Sequence, residues 1–99
     1  MFVHVVFFWM KDEAKPEAKA QLLQDSRDYL GSIPGLKYFD TGRPAMTPRE
    51  VVDNSYEVGL LTVFADKAGH DAYQIHPRHL EFIERNKANW KRVQVYDFE

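Results

Sequence analysis

Phe2-Val3-His4-Val5-Val6-Phe7-Phe8-Trp9-Met10 decides the fold of this chain. Its residues are β-branched or aromatic almost throughout, which suits a pleated strand better than a helix. Side chains of a strand alternate between faces. Phe2, His4, Val6 and Phe8 therefore share one side, and Val3, Val5, Phe7 and Trp9 the other. Both sides are apolar. A strand wetted on one side would alternate apolar with polar residues, so this one predicts a sheet covered front and back. The run is far shorter than the roughly 20 residues needed to cross a bilayer. It also lacks the basic flank and small-residue cleavage site of an export signal, so no membrane partner is expected.

Outward from this strand the elements follow in order. Lys11 to Lys15 break it, and Pro16 and Glu17 suit the first turn of a helix. That helix runs to about Leu30, with Ala18, Leu22, Leu23, Tyr29 and Leu30 as its apolar stripe, and the Ile33-Pro34-Gly35 turn follows. Leu36 to Thr41 reads as a second strand, and Gly42 to Asn54, with Pro44 and Pro48, as a loop. Ser55 to Ala65 reads as a third strand. Tyr56, Val58, Leu60 and Phe64 face one way, and Leu61, Val63 and Ala65 the other. Asp66 caps a short helix to about Gln74. Pro77 opens another to about Asn89, with Leu80, Ile83 and Trp90 on one face and Glu81 four residues before Arg85. Lys91 to Phe98 is the last strand. The order β-α-β-β-α-β predicts an α+β, ferredoxin-like fold: a four-stranded antiparallel sheet with helices on one face, in one domain spanning residues 1–99.

Ninety-nine residues make a thin core, because a chain of this size hides only about 60–65% of its unfolded surface. Two helices can cover one face of the sheet, and the second apolar face predicts a second copy of the chain, a homodimer. A net charge of −2 without a basic block argues against a nucleic-acid partner. The absence of cysteine excludes disulfides, thiolate metal sites and a cysteine nucleophile. It is compatible with a cytoplasmic address.

The chemistry concentrates in Tyr73-Gln74-Ile75-His76-Pro77-Arg78-His79. Pro77 holds His76 extended and places His79 in the first turn of the helix. The partial positive charge of that helix end disfavours a protonated imidazole, leaving the neutral form a general base requires. Tyr73, six residues earlier, can donate a hydrogen bond to a developing oxyanion. The plainer alternative is that these residues fix the break between two helices. His4 is a single polar residue in an apolar strand, either satisfied in the core or lining a cavity. His70, between Gly69 and Asp71, reads as solvated. His4, His76 and His79 have no carboxylate at helical ligand spacing, so no metal is expected. With no phosphate-cradling loop or dinucleotide fingerprint, no cofactor is expected either.

Several of these features together resemble the stress-responsive A/B barrel domain family of the dimeric α/β-barrel superfamily. They are the early histidine in Val3-His4-Val5-Val6-Phe7-Phe8, Lys11-Asp12-Glu13, Ile33-Pro34-Gly35-Leu36, the aromatic third strand and the Tyr-x-x-His-Pro-x-His segment. The resemblance runs end to end. It implies ferredoxin-like subunits whose sheets pair face to face, and it leaves activity unassigned. It also brings a distant similarity to the family's plant olivetolic acid cyclase. That enzyme's histidine base, tyrosine partner and first-strand cavity histidine match His79, Tyr73 and His4. Two further polar positions of its cavity fall near Val58 and Ser26, so the same substrate is not implied.

Two expectations result. One is a stress-associated homodimer of unassigned activity with a small-molecule pocket, lined by His4, His76, Val58 and Phe8. The other is a cofactor-free cyclase, lyase or isomerase acting on a carbonyl, polyketide-like substrate, with His79 as base and Tyr73 as oxyanion donor. A cavity of about 300 Å³ or more beside His79 would favour a ligand-binding role.

Overall fold

The computed structural model describes residues 1–99. Four strands form one antiparallel sheet: β1 (Phe2–Met10), β2 (Leu36–Gly42), β3 (Val58–Phe64) and β4 (Trp90–Phe98), in the order β2-β3-β1-β4. Three helices, α1 (Pro16–Asp25), α2 (Lys67–Gln74) and α3 (Pro77–Asn86), pack on its inner face. The fold is ferredoxin-like α+β, as the order of elements predicts. The residues of β1 are central, which is why that strand reads apolar on both sides. It pairs with β3 (Phe2 opposite Phe64, Phe8 opposite Val58) and with β4 (Val3 opposite Phe98, Phe8 opposite Val93).

Every second residue of β1 is buried. Phe2, Val6 and Phe8 meet Leu22 and Leu30 of the first helical segment, Tyr73 of α2 and Phe82 of α3 in one core. The first helix widens into a π turn over Ser26–Leu30. There the buried Ser26 hydroxyl donates to the Leu22 carbonyl at 2.7 Å, a local side-chain bond that competes with the helical ladder. Gly35, at φ +96°, makes the turn into β2, a conformation that other residues adopt at a cost.

The structure corrects three expectations. The third strand starts at Val58, because the Glu57 carboxylate takes the backbone N–H of Met10 at 2.8 Å, where a ladder carbonyl would otherwise accept. Tyr56 therefore lies outside the strand and packs on Phe7 and Trp9 of the outer face, with ring centroids 4.8 and 6.4 Å apart. On α3 the buried side chains are His79, Phe82 and Asn86, while Leu80 is exposed. Arg85 does not pair with Glu81 but with Asp25 of α1, at 2.8 Å. Asp25 is buried, and an unpaired buried carboxylate is far costlier than an exposed one. Asn86 Nδ2 donates to the same carboxylate at 3.0 Å and to the Phe82 carbonyl at 2.9 Å, so α1 and α3 are clamped together.

The outer face of the sheet carries Val3, Val5, Phe7 and Trp9 of β1 beside Leu61 and Val63 of β3, with Tyr38, Tyr96 and Phe98 on the edge strands. The last three are more than half exposed. No helix of the chain is long and apolar enough to cross a membrane.

Candidate functional site

A cavity of about 150 Å³ opens between the inner face of β1 and β4 and the helices α2 and α3. It exists because the helices do not reach across the edge strand: Val93 and Val95, on the inner side of β4, stay 41% exposed. His4, Val6, Phe8, Tyr73, His79, Phe82, Trp90, Val93 and Val95 are among its lining residues.

Two local choices set the chemistry of its wall. Pro77 forces the chain to break after Gln74, and His76, extended at φ −64° and ψ 138°, caps α3. One turn later His79 points inward, almost fully buried. Its ring meets that of Tyr73, the most buried aromatic of α2, edge to face at 4.8 Å between centroids. Tyr73 Oη, His79 Nδ1 and Trp90 Nε1 are buried without a protein partner, and no other buried side-chain nitrogen or oxygen in the chain is left so. All three residues line this one cavity. Leaving a buried polar atom unpaired costs about 1–3 kcal/mol, and here the three residues that carry such atoms share one cavity wall.

The electrostatics agree. His79 is held neutral, its pKa lowered to about 4, by burial first and then by the charges of His4, His70 and His76 around it, with the Gln74 backbone working the other way. The neutral state is the expected one, but its main cause is burial rather than the helix end. Burial raises the Tyr73 phenol well above its ordinary range, so it stays a donor. His4 is lowered by burial, against the pull of Asp97. The His4 Nδ1 hydrogen donates to Asp97 Oδ1 at 2.5 Å, which leaves Nε2 to accept from the Gln74 amide at 3.3 Å.

His79, Tyr73, His4 and Phe8 thus come together as anticipated. Two expected lining residues do not. His76 Nδ1 accepts from the Arg78 backbone at 3.1 Å, so its ring serves the helix cap rather than the cavity. Val58 is fully buried in the core. It belongs to β3, on the other side of β1 from the cavity, and only Leu60 reaches across from that strand.

His70 is a further correction. Its side chain is only 13% accessible, stacked on Phe2 at 4.4 Å and close to His4 at 4.8 Å. The signal for it was present in the spacing, since residues 70, 73 and 74 fall on one face of α2. Trp90 falls on an apolar face by its spacing, which gives no sign of the buried, partnerless indole N–H it brings to the cavity wall. The cavity has about half the volume of 300 Å³ that would by itself favour a ligand-binding role, though an engineered apolar cavity of about 150 Å³ accommodates benzene.

Among solved structures, a dimeric ferredoxin-like protein of unknown function from Thermobifida fusca superposes with a TM-score of 0.82 at 20% identity, over 98% of this chain and 88% of that one. A Dabb family protein from Mesorhizobium loti gives 0.79 at 25% identity, over 99% and 94%. The hydroxynitrile lyase of Passiflora edulis gives 0.78 at 17% identity, over 98% and 90%. No curated protein matches the chain by sequence. With a match over residues 2–99 to the Stress responsive A/B Barrel Domain, the chain belongs to the Dabb family.

Proposed function

We propose that the chain works as a homodimer, each subunit binding a small carbonyl compound in its cavity. His79 accepts a proton from the compound, and Tyr73, with Trp90 beside it, hydrogen-bonds the oxygen on which charge develops. The convergence of the three partnerless buried polar atoms carries this reading. A phenol and an indole N–H donate, and a neutral imidazole nitrogen accepts, which matches an enolate or alkoxide forming beside a departing proton.

A base whose pKa lies near 4 is weak, so the proton it removes must already be acidic. It would be the carbon acid between two carbonyls, or a hydroxyl whose proton leaves as a carbon–carbon bond breaks. This favours cofactor-free lyase or isomerase chemistry on a compact substrate over cyclisation of a long one. The similar fold of the Passiflora protein, a hydroxynitrile lyase, is in keeping with such chemistry. The apolar outer face of the sheet and the dimeric relatives support assembly in pairs, and the absence of cysteine suits a cytoplasmic setting.

The test is deuterium exchange at the central carbon of a small 1,3-diketone, followed by NMR beside thermal-shift binding. The wild type should accelerate exchange about 10²-fold or more over buffer, the usual scale of a placed base, and His79→Ala should abolish the effect. Stabilisation by ligand without exchange would favour a second reading, a carrier. Neither stabilisation nor exchange with any small carbonyl compound would end the proposal.

A further inference from the structure

Beside the cavity, four side chains form an arrangement that the proton-transfer chemistry does not use. His4 Nδ1 lies 2.5 Å from Asp97 Oδ1, and His70 Nδ1 lies 3.0 Å from Asp71 Oδ1. A carboxylate only accepts, so each ring carries its hydrogen on Nδ1 and keeps a bare lone pair on Nε2. Both Nε2 atoms approach a single group, the Gln74 carboxamide nitrogen, at 3.3 and 3.2 Å. The rings are held in place. Thr62 Oγ1 donates to the His4 carbonyl at 3.0 Å, and His70 is stacked on Phe2 with Phe64 edge-on at 5.8 Å.

Converging imidazole lone pairs, each backed by a carboxylate on the far ring nitrogen, are how proteins hold a transition-metal ion. The carboxylate fixes the tautomer and strengthens the nitrogen as a donor. Imidazole ligands select zinc, cobalt, nickel or copper over magnesium or calcium. From this geometry we infer that His4 and His70 bind a zinc-type divalent ion where the Gln74 amide nitrogen now sits, with Asp97 and Asp71 orienting the two rings. With the Gln74 side chain drawn back from that point and its carboxamide turned over, the amide oxygen becomes a third ligand. One donor atom from each of His4, His70 and the orienting Asp97 falls within 4.8 Å of the others, so ligands and supporting carboxylate form one cluster. Zinc–nitrogen bonds of about 2.0–2.1 Å are shorter than the 3.3 and 3.2 Å that now separate the two Nε2 atoms from that point, so both rings close in by about 1.2 Å when the ion binds. Sequence spacing hid the site because β1, α2 and β4 each supply part of it.

The inference is independent of the proposed reaction, and its test needs no turnover. Cobalt(II) chloride is titrated into chelator-treated protein and followed by visible absorption, with zinc(II) competing. The wild type should saturate at one ion per chain. His70→Phe, which keeps a ring stacked on Phe2, should weaken binding at least 10-fold. Asp71→Asn and Asp97→Asn should each weaken it about 10-fold or more, the usual effect of losing a carboxylate behind a ligand. His76→Ala, which removes an imidazole outside the site, should leave binding unchanged. In the wild type, zinc should move the imidazole ¹⁵N signals of His4 and His70 and not that of His76, a readout that does not depend on any variant folding. No saturable binding, equal binding by folded His70→Phe, or zinc shifts confined to other histidines would each overturn the assignment.

Discussion

Tyr73 and His79 are in tension with their surroundings, and that tension can be measured. Tyr73→Phe removes a buried hydroxyl that has no protein partner. Its stability should match the wild type or exceed it by up to about 1 kcal/mol, because the desolvation cost disappears with the group. Ligand-dependent exchange should fall by about 10²-fold or more if the phenol holds the developing charge. A loss of several kcal/mol in chemical denaturation would instead assign Tyr73 to the core. His79 gives a pH signature. Its pKa falls from 6.5 to about 4 on folding, so between those values the unfolded chain binds the proton that the folded one refuses. Its contribution is complete above about pH 6.5, declines as pH falls, and is gone below about pH 4. The total is on the order of 3 kcal/mol. His4, also lowered, adds in the same direction. Urea titrations across this window should show the decline, and His79→Phe should flatten it. The proximity of His79 and Tyr73 was legible from the Pro77 break and six-residue spacing. The company of His70 was not, because Phe2 and His4 reach it only through the pairing of distant strands.

Helix contacts show how far local patterns reach. The lengths of α2 and α3 and the break between them follow from Asp66, Pro77 and the apolar spacing, all local signals. The partner of Arg85 does not. Glu81 sits at the favourable spacing, yet Asp25, 60 positions away, takes the guanidinium because it is buried and Glu81 is not. Asp25→Ala should therefore cost about 1–3 kcal/mol, the scale for depriving the buried Asn86 amide of a partner, since the freed Arg85 is left in contact with water. Glu81→Ala should change stability by less than about 0.5 kcal/mol. Thermal melts of the two variants decide between them, and equal effects would refute the clamp. Tyr56 makes the same point for strands. Alternation assigns it to the inner face, but the Glu57 carboxylate ends the ladder one residue later and alternation no longer applies.

At the scale of the whole molecule, the two-sided apolar character of β1 was the most informative feature of the sequence. It fixed the strand's central position and pointed to an uncovered outer face. Phe7→Glu places a charge in the middle of that face, beside Tyr56 and Tyr96. If two subunits meet there, a charge buried without a partner opposes association strongly. Sedimentation should then show the wild type at twice its 11.6 kDa chain mass and the variant at that mass, still folded. A wild type that sediments as one chain would remove the basis for pairing. The volume of the cavity could not be read from the sequence, because it depends on how far two helices stop short of an edge strand.

That shortfall has one more implication. With Val93 and Val95 half open along the rim of the sheet, the cavity is a side slot rather than a closed chamber, so selection would fall on a guest's reactive end and hardly on what trails behind it. A compound anchored to a bead through a long alkyl tail should be captured about as well as the free one.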